Sequence, residues 1–358
     1  MPILSAEGMV DLVPITTESS TPAAIRGTPY LVVGASSANR AATAVTLDGD
    51  WLDFRSAPSG GTTTQTSKFV GLCRPLADYT SITSSSYVYG GVRFKCLITG
   101  TLLPLLRFVD ATQPTVSANA FTILFGNDIP GGTVAGTEYY IEWALDMANR
   151  RVLRRIDGVR IADLPFPATS YDTLFTNNVM GICYGSTSAV SAAMSTVIGY
   201  AIKDIYVGEK LAGETSDWLG PRIVSPLPIA AVTSPWQASA GTVLDAFNTT
   251  ITDSASFTAP YVSTDAAGSD AEIKLSVPDV PGKIDAVTIT SIGRRNAAAL
   301  GGLAVVVENG EVEEGKGVKV LTTVNSFYTL GTYGNAPGGT PWTRNLLTDV
   351  TVKVTPSN

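Results

Sequence analysis

Tyr139-Tyr140-Ile141-Glu142-Trp143-Ala144-Leu145-Asp146-Met147, with the two short runs that follow it, decides the fold class. Tyr139, Ile141, Trp143, Leu145 and Met147 alternate with Tyr140, Glu142, Ala144 and Asp146. A period of two predicts a strand with one face buried, and it places Glu142 on the polar face. Asn149-Arg150 then turns the chain into Val152–Ile156, and Asp157-Gly158 turns it again into Val159-Arg160-Ile161. Asp-Gly between apolar runs is a type I′ hairpin signal, because both central residues of that turn need positive φ.

The same grammar extends in both directions. Val45–Leu47 and Trp51–Phe54 read as strands around the turn Asp48-Gly49-Asp50, Ser59–Ser67 as a polar loop, and Tyr87–Thr99 as another strand-rich stretch. Toward the C-terminus Val305–Glu308 meets Glu311-Val312 across Asn309-Gly310, read as a second I′ turn, and Val350, Val352 and Val354 alternate in a closing strand. Only Ala297–Leu300 hints at a helical turn, ended by Gly301-Gly302. With 34 Gly, 21 Pro and 15% charged residues, the composition suits short strands punctuated by turns. The expectation is an all-β protein of sandwiches or barrels.

Four segments follow from the punctuation. Residues 1–30, broken by Pro2, Pro14, Pro22 and Pro29, form an N-terminal arm; residues 31–209 form a first domain. Residues 210–230 form a Pro-rich linker, expected to be extended and stiff, with Trp218-Leu219-Gly220-Pro221-Arg222 followed by Pro226 and Pro228. Residues 231–358 form a second β-domain.

The 358 residues contain no histidine. That removes the imidazole general base, the Ser-His and Cys-His nucleophile pairs, and histidine-ligated metals. The reading is therefore no enzyme and no cofactor, with carboxylate-only catalysis the one route left open. Net charge is −7, with 12 acids and 8 bases in residues 231–358 and 19 and 16 before them, so neither half has the basic excess of a nucleic-acid surface. Cys73, Cys96 and Cys183 read as buried small hydrophobes of a reducing compartment. The N-terminus lacks a signal peptide pattern, and no apolar run reaches the roughly 20 residues needed to span a bilayer. The expectation is synthesis and assembly in a cytoplasm, without membrane insertion.

Candidate chemistry is sparse. Gly310-Glu-Val-Glu-Glu-Gly315-Lys316-Gly317 has phosphate-loop spacing but Gly317 where Ser or Thr should stand, and its three carboxylates would repel a nucleotide. It reads as a solvated acidic hairpin. Glu138 and Glu142 read as surface acids rather than a glycosidase pair, and Asp48-Gly49-Asp50 and Asp265-x4-Asp270 as turn chemistry rather than calcium loops. Arg150, Arg151, Arg154, Arg155 and Arg160 crowd one hairpin region. They suit an anionic glycan or an acidic partner, or else a charged edge that discourages stray strand pairing. Tyr79, Tyr87, Tyr89, Tyr171 and Tyr184 are the aromatics on which a sugar could stack, although most sit in apolar runs that predict burial.

Two stretches carry a family resemblance. Tyr139–Leu164 resembles the concanavalin A-like, laminin-G-type jelly roll. Lys203-Asp204-Ile205-Tyr206-Val207 resembles that domain's last strand, and it runs on to Asp217-Trp218-Leu219-Gly220-Pro221-Arg222-Ile223-Val224. This order is similar to that of a family of tailed-bacteriophage structural (tail) proteins, with Pro221 where an acidic residue is common. The resemblance implies a concanavalin A-like jelly-roll sandwich followed by a smaller β-sandwich domain. It also implies a virion component acting by assembly contacts, assembled in the bacterial host cytoplasm. Its partners would be other virion proteins. Residues 1–30 and the Pro-rich 218–235 stretch separately offer extended chain that could lie along a neighbouring copy, so a homo-oligomer is expected, a trimer being favoured. The alternative is a receptor-binding (adsorption) protein whose lectin-like domain binds host surface polysaccharide. No catalytic residues come with the family.

Overall fold

The computed structural model describes residues 3–7, 15–16, 31–34, 43–48, 51–56, 69–75, 83–84, 86–97, 102–110, 121–124, 129, 132–165, 180–188, 198–210, 218–225, 227–248, 260–279, 282–296, 301–323 and 326–357. The chain divides into two compact units, one of residues 7–224 and one of residues 225–358 together with 2–6. Ser59–Ser67, Ala297–Leu300, Tyr79 and Tyr171 lie outside the described residues.

Strands up to Val224 are β1 (Ile3–Glu7), β2 (Ile15–Thr16), β3 (Leu31–Gly34), β4 (Thr43–Asp48), β5 (Trp51–Ser56), β6 (Phe69–Pro75), β7 (Tyr87–Cys96), β8 (Leu102–Asp110), β9 (Phe121–Leu124), β10 (Glu138–Asp146), β11 (Arg151–Ile156), β12 (Val159–Pro165), β13 (Met180–Ser188) and β14 (Ile198–Glu209). One antiparallel sheet runs β12-β11-β10-β7-β14-β5-β4-β2 and a second runs β3-β6-β13-β8-β9. They face each other across one core, in which Trp143, Ile141 and Leu145 of β10 meet Leu106 and Phe108 of β8 and Ile182 and Tyr184 of β13. Trp143 is fully buried; its indole N–H donates to the Tyr184 hydroxyl at 3.3 Å, and Phe108 meets it edge-on at 6.1 Å. Removing 150–250 Å² of such a side chain from water is worth about 4–6 kcal/mol as an upper bound. The alternation of β10 thus fixes its register, since a one-residue slip would expel Trp143.

The β10–β12 hairpins form as the sequence predicts. Arg150 (φ 52°) lies in the first turn, and Asp157 (φ 49°) and Gly158 (φ 79°) both take the left-handed conformation of a type I′ turn between paired Ile156 and Val159. The three cysteines are buried thiols, Cys73 and Cys183 being direct cross-strand neighbours.

The second unit holds β15 (Ile229–Thr233), β16 (Gln237–Ala238), α1 (Val243–Asn248), β17 (Val262–Ser263), β18 (Ala271–Leu275), β19 (Val287–Gly293), β20 (Gly302–Asn309), β21 (Val312–Val320), β22 (Ser326–Tyr333), α2 (Arg344–Asp349) and β23 (Thr351–Ser357). Its five-stranded sheet runs β15-β18-β23-β20-β21, with β19-β22 and β16-β17 as smaller pairs. Trp236, Tyr333, Trp342, Leu330 and Val352 pack in its core, and the Trp342 and Trp236 N–H groups each reach a backbone carbonyl at 2.7 Å. Two readings are corrected here. Asn309 pairs with Val312, so the turn is centred on Gly310-Glu311 with positive φ only at Gly310 (64°), a II′ pattern rather than I′. The helices α1 and α2 were not expected. Each is six residues, too short for a 3.6-residue period, and α2 starts from a local signal, the Thr343 hydroxyl accepting from the Leu346 N–H.

Candidate functional site

Strand β10 is buried on both faces, from Tyr139 through Leu145. Glu142, read as a surface acid, has no exposed area. On the face away from Trp143, two glycines of neighbouring strands leave room for rings to lie flat. A Cβ on Gly91 would sit 2.5 Å from the Tyr206 ring, and one on Gly208 would sit 2.3 Å from the Tyr89 ring. Tyr89, Tyr140, Tyr206 and Glu142 fill that space, and residues 218–224, the last of the first unit, lie over it as a strap.

Each strap contact has a named partner. Gly220 takes φ 73°, which favours glycine; its N–H donates to Glu142 Oε1 at 2.9 Å and its carbonyl accepts from the Tyr140 hydroxyl at 2.6 Å. The Tyr206 hydroxyl donates to the same Glu142 Oε1 at 3.2 Å. The Val224 N–H donates to Asp204 Oδ1 at 2.9 Å, while Asp204 Oδ2 pairs with Arg93 Nε at 2.9 Å. Asp204 (φ 52°) sits where the β14–β7 register shifts between Lys203 and Tyr206, and that bulge turns its carboxylate toward the strap. The Arg155 guanidinium stacks 4.4 Å from the Trp218 ring centre. Lys95 and Lys203 approach the buried Trp51 ring at 4.2 and 4.5 Å.

Burial pushes the Glu142 carboxyl above the ordinary range, opposed by the Gly220 and Tyr206 hydrogen bonds and by the charges of Arg155 and Arg222. Burial likewise raises the Tyr140 and Tyr206 hydroxyls, Tyr206 most of all, so both stay neutral donors.

The five arginines do not form one surface. Arg154 pairs with Trp143 and is buried on the same side as Val152 and Ile156; Arg155 pairs with Glu142 on the opposite side, beneath Trp218. Arg150 is an exposed turn residue. Only Arg151 and Arg160 converge, both on Asp163 at 3.6 and 3.0 Å, beside an open depression of about 450 Å³ that Ile161 also lines. They stand at a sheet edge whose register shifts between Val152 and Arg154, and bulge and charge together blunt such an edge. The 310–317 stretch is the exposed turn and edge strand β21, again with a register shift, and Gly317 there has φ 82°. Of the sugar-stacking candidates, Tyr89 and Tyr184 are buried and Tyr87 is half-buried. Among the described residues no group of three or more Cys, Asp or Glu could hold a metal ion, and no helix is long and apolar enough to cross a membrane.

Sequence reasoning missed the Glu142 site. The signal present was Tyr140 and Ala144 on the supposedly polar face, two residues that suit burial better than solvent.

The sequence matches no protein-family model and no curated protein. Solved structures similar to it include arcelin-5, a lectin-like defense protein from Phaseolus vulgaris, at 8% identity, TM-score 0.32, covering 51% of this chain and 92% of that one. Lectin II from Ulex europaeus matches at 8% identity and TM-score 0.31, covering 56% of this chain and all of that one (100%). A GH131 β-glucanase catalytic domain from Podospora anserina matches at 11% identity and TM-score 0.32, covering 53% and 87%. A sialidase match covers 47% of this chain and only 16% of that enzyme.

Proposed function

We propose that the chain is a structural component of a tailed-bacteriophage virion, acting as a homo-oligomer through assembly contacts rather than catalysis. The observation that supports this reading is the role of the junction residues. The words that resemble the phage family, Asp204-Ile205-Tyr206 and Trp218-Leu219-Gly220, are the residues that hold the strap: Asp204 on Val224, Tyr206 beside Gly220 on Glu142, Trp218 on Arg155. A likeness at residues tied together in three dimensions is stronger than one of composition. Mass spectrometry of purified virions tests it, and absence of the protein from particles overturns it.

One observation favours the adsorption reading, the pair Arg151 and Arg160 at an open depression on a sheet edge. An acidic host polysaccharide would exchange with Asp163 there. Substituting Arg154 and Arg155 is a poor probe, because one is buried and the other stacks under Trp218. The informative variant is Arg151→Ala with Arg160→Ala on an array of host polysaccharides. Binding without shortening of the chains, lost in that double variant, supports adsorption; shortening of the chains overturns the non-catalytic reading.

A further inference from the structure

We propose that Glu142 is a proton-linked latch for residues 218–224: the strap docks with uptake of a proton and loosens as pH rises. The geometry is asymmetric. Oε1 accepts both the Gly220 N–H and the Tyr206 hydroxyl, whereas Oε2 is buried with no hydrogen-bond partner. A carboxylate offers about four acceptor sites, so the ionised group is under-served when the strap closes over it. The protonated group keeps both bonds at Oε1, carries its proton on Oε2 and sheds the charge that burial penalises, giving up only its attraction to nearby cations.

The surrounding groups set the direction. Arg155 from β11 and Arg222 from the strap favour the ionised form. Tyr206 from β14 and Tyr140 from β10 are neutral, and Arg93 from β7 lies over the Tyr140 ring at 5.9 Å while paired with Asp204. Burial outweighs the two cations, and the carboxyl ends above its ordinary range. With the strap lifted, Glu142 meets water and returns toward the ordinary carboxylate range. The docked state therefore binds more protons. Docking is fully favourable below the ordinary value, weakens as pH climbs from there toward the docked one, and has lost the proton-linked contribution once pH has passed through it.

Hydrogen exchange of the full chain between pH 4.5 and 8.5, corrected for intrinsic exchange and followed at a peptide containing the Gly220 amide, tests this. Wild type should show strap opening that rises between the ordinary carboxylate range and the docked value by up to about tenfold per pH unit, the limit for one linked proton, and levels off above the docked value. Glu142→Gln keeps the Oε1 acceptor and cannot ionise, so its strap should stay protected and flat with pH. Tyr140→Phe removes the bond to the Gly220 carbonyl without touching the carboxylate, so opening should increase at every pH with the slope retained. A flat wild-type profile, an unchanged slope in Glu142→Gln, or loss of the slope in Tyr140→Phe overturns the latch.

Discussion

Adding a single methyl group at Gly91 should undo the layer beneath the strap. An alanine Cβ there would lie 2.5 Å from Tyr206 Cε1 and 2.6 Å from Tyr140 Oη, where ordinary contact begins near about 3.5 Å. Both rings must retreat by about 1 Å. Neither is at liberty to do so: Tyr206 meets Tyr89 edge-on at 6.3 Å, and both hydroxyls are in hydrogen bonds, to Glu142 at 3.2 Å and to the Gly220 carbonyl at 2.6 Å. Overpacking of a dense interior costs about 1–3 kcal/mol, and two hydrogen bonds lengthened past usefulness add about 1 kcal/mol each. The expected loss is about 3–5 kcal/mol. At about 2–4 °C per kcal/mol for a unit of this size, Tm should fall by about 6–20 °C. Calorimetry of Gly91→Ala beside Gly293→Ala is the assay. Gly293 is a β19 residue with nothing within 4 Å of its Cβ position and no positive φ, so its alanine should be neutral or slightly stabilising. If Gly91→Ala melts within about 1 kcal/mol of wild type, the rings are not packed as described and the strap argument fails with them.

Asp204→Ala leaves the Val224 N–H without its acceptor and Arg93 with only the more distant Glu138, at 4.0 Å; about 3–5 kcal/mol should be lost in urea unfolding, with the 218–224 peptide deprotected in exchange. Gly158→Ala meets no neighbouring atom within 4 Å yet must hold φ 79°, so its expected cost of about 1–2 kcal/mol, read by the same unfolding, isolates backbone strain. Thr343→Ala removes the α2 cap and should cost about 0.5–2 kcal/mol in the melting of the second unit.

What the sequence made legible were features whose cause is local. The strand signal of β10 and the Asp157-Gly158 turn act within a few residues, and both elements form, although the face of β10 read as polar is buried as well. The II′ turn at Gly310-Glu311 escaped because Asn309-Gly310 states two residues fit for positive φ without stating which pair the strand register will place at the corner. The burial of Glu142 escaped for a non-local reason. It depends on a glycine one strand away, at Gly91, and on a segment 78 residues later, at Gly220. Alternation tells a strand's two faces apart; it does not tell which face a later part of the chain will cover.

That covering changes where a contact with another molecule would fall. The side chains that would suit a polar, aromatic site are already engaged: Tyr89, Tyr140, Glu142 and Tyr206 with one another or with the strap, and the strap's own Trp218 with Arg155. The convergent exposed cations stand instead at the β12 edge, where Arg151 and Arg160 share Asp163. An anionic partner arriving there must displace an internal carboxylate from solvent-exposed pairs that are themselves worth about 0–1 kcal/mol and are screened by salt. A single such site should bind weakly and lose affinity as ionic strength rises. Several copies in one assembly would convert later contacts into intramolecular ones and multiply the overall affinity by about 10²–10⁴. Under the adsorption reading, therefore, oligomerisation is a condition of useful binding, and dilution to monomer should abolish retention on polysaccharide before it affects folding. Under the architectural reading dilution changes the assembly alone, which makes polysaccharide retention as a function of protein concentration the measurement that divides the two.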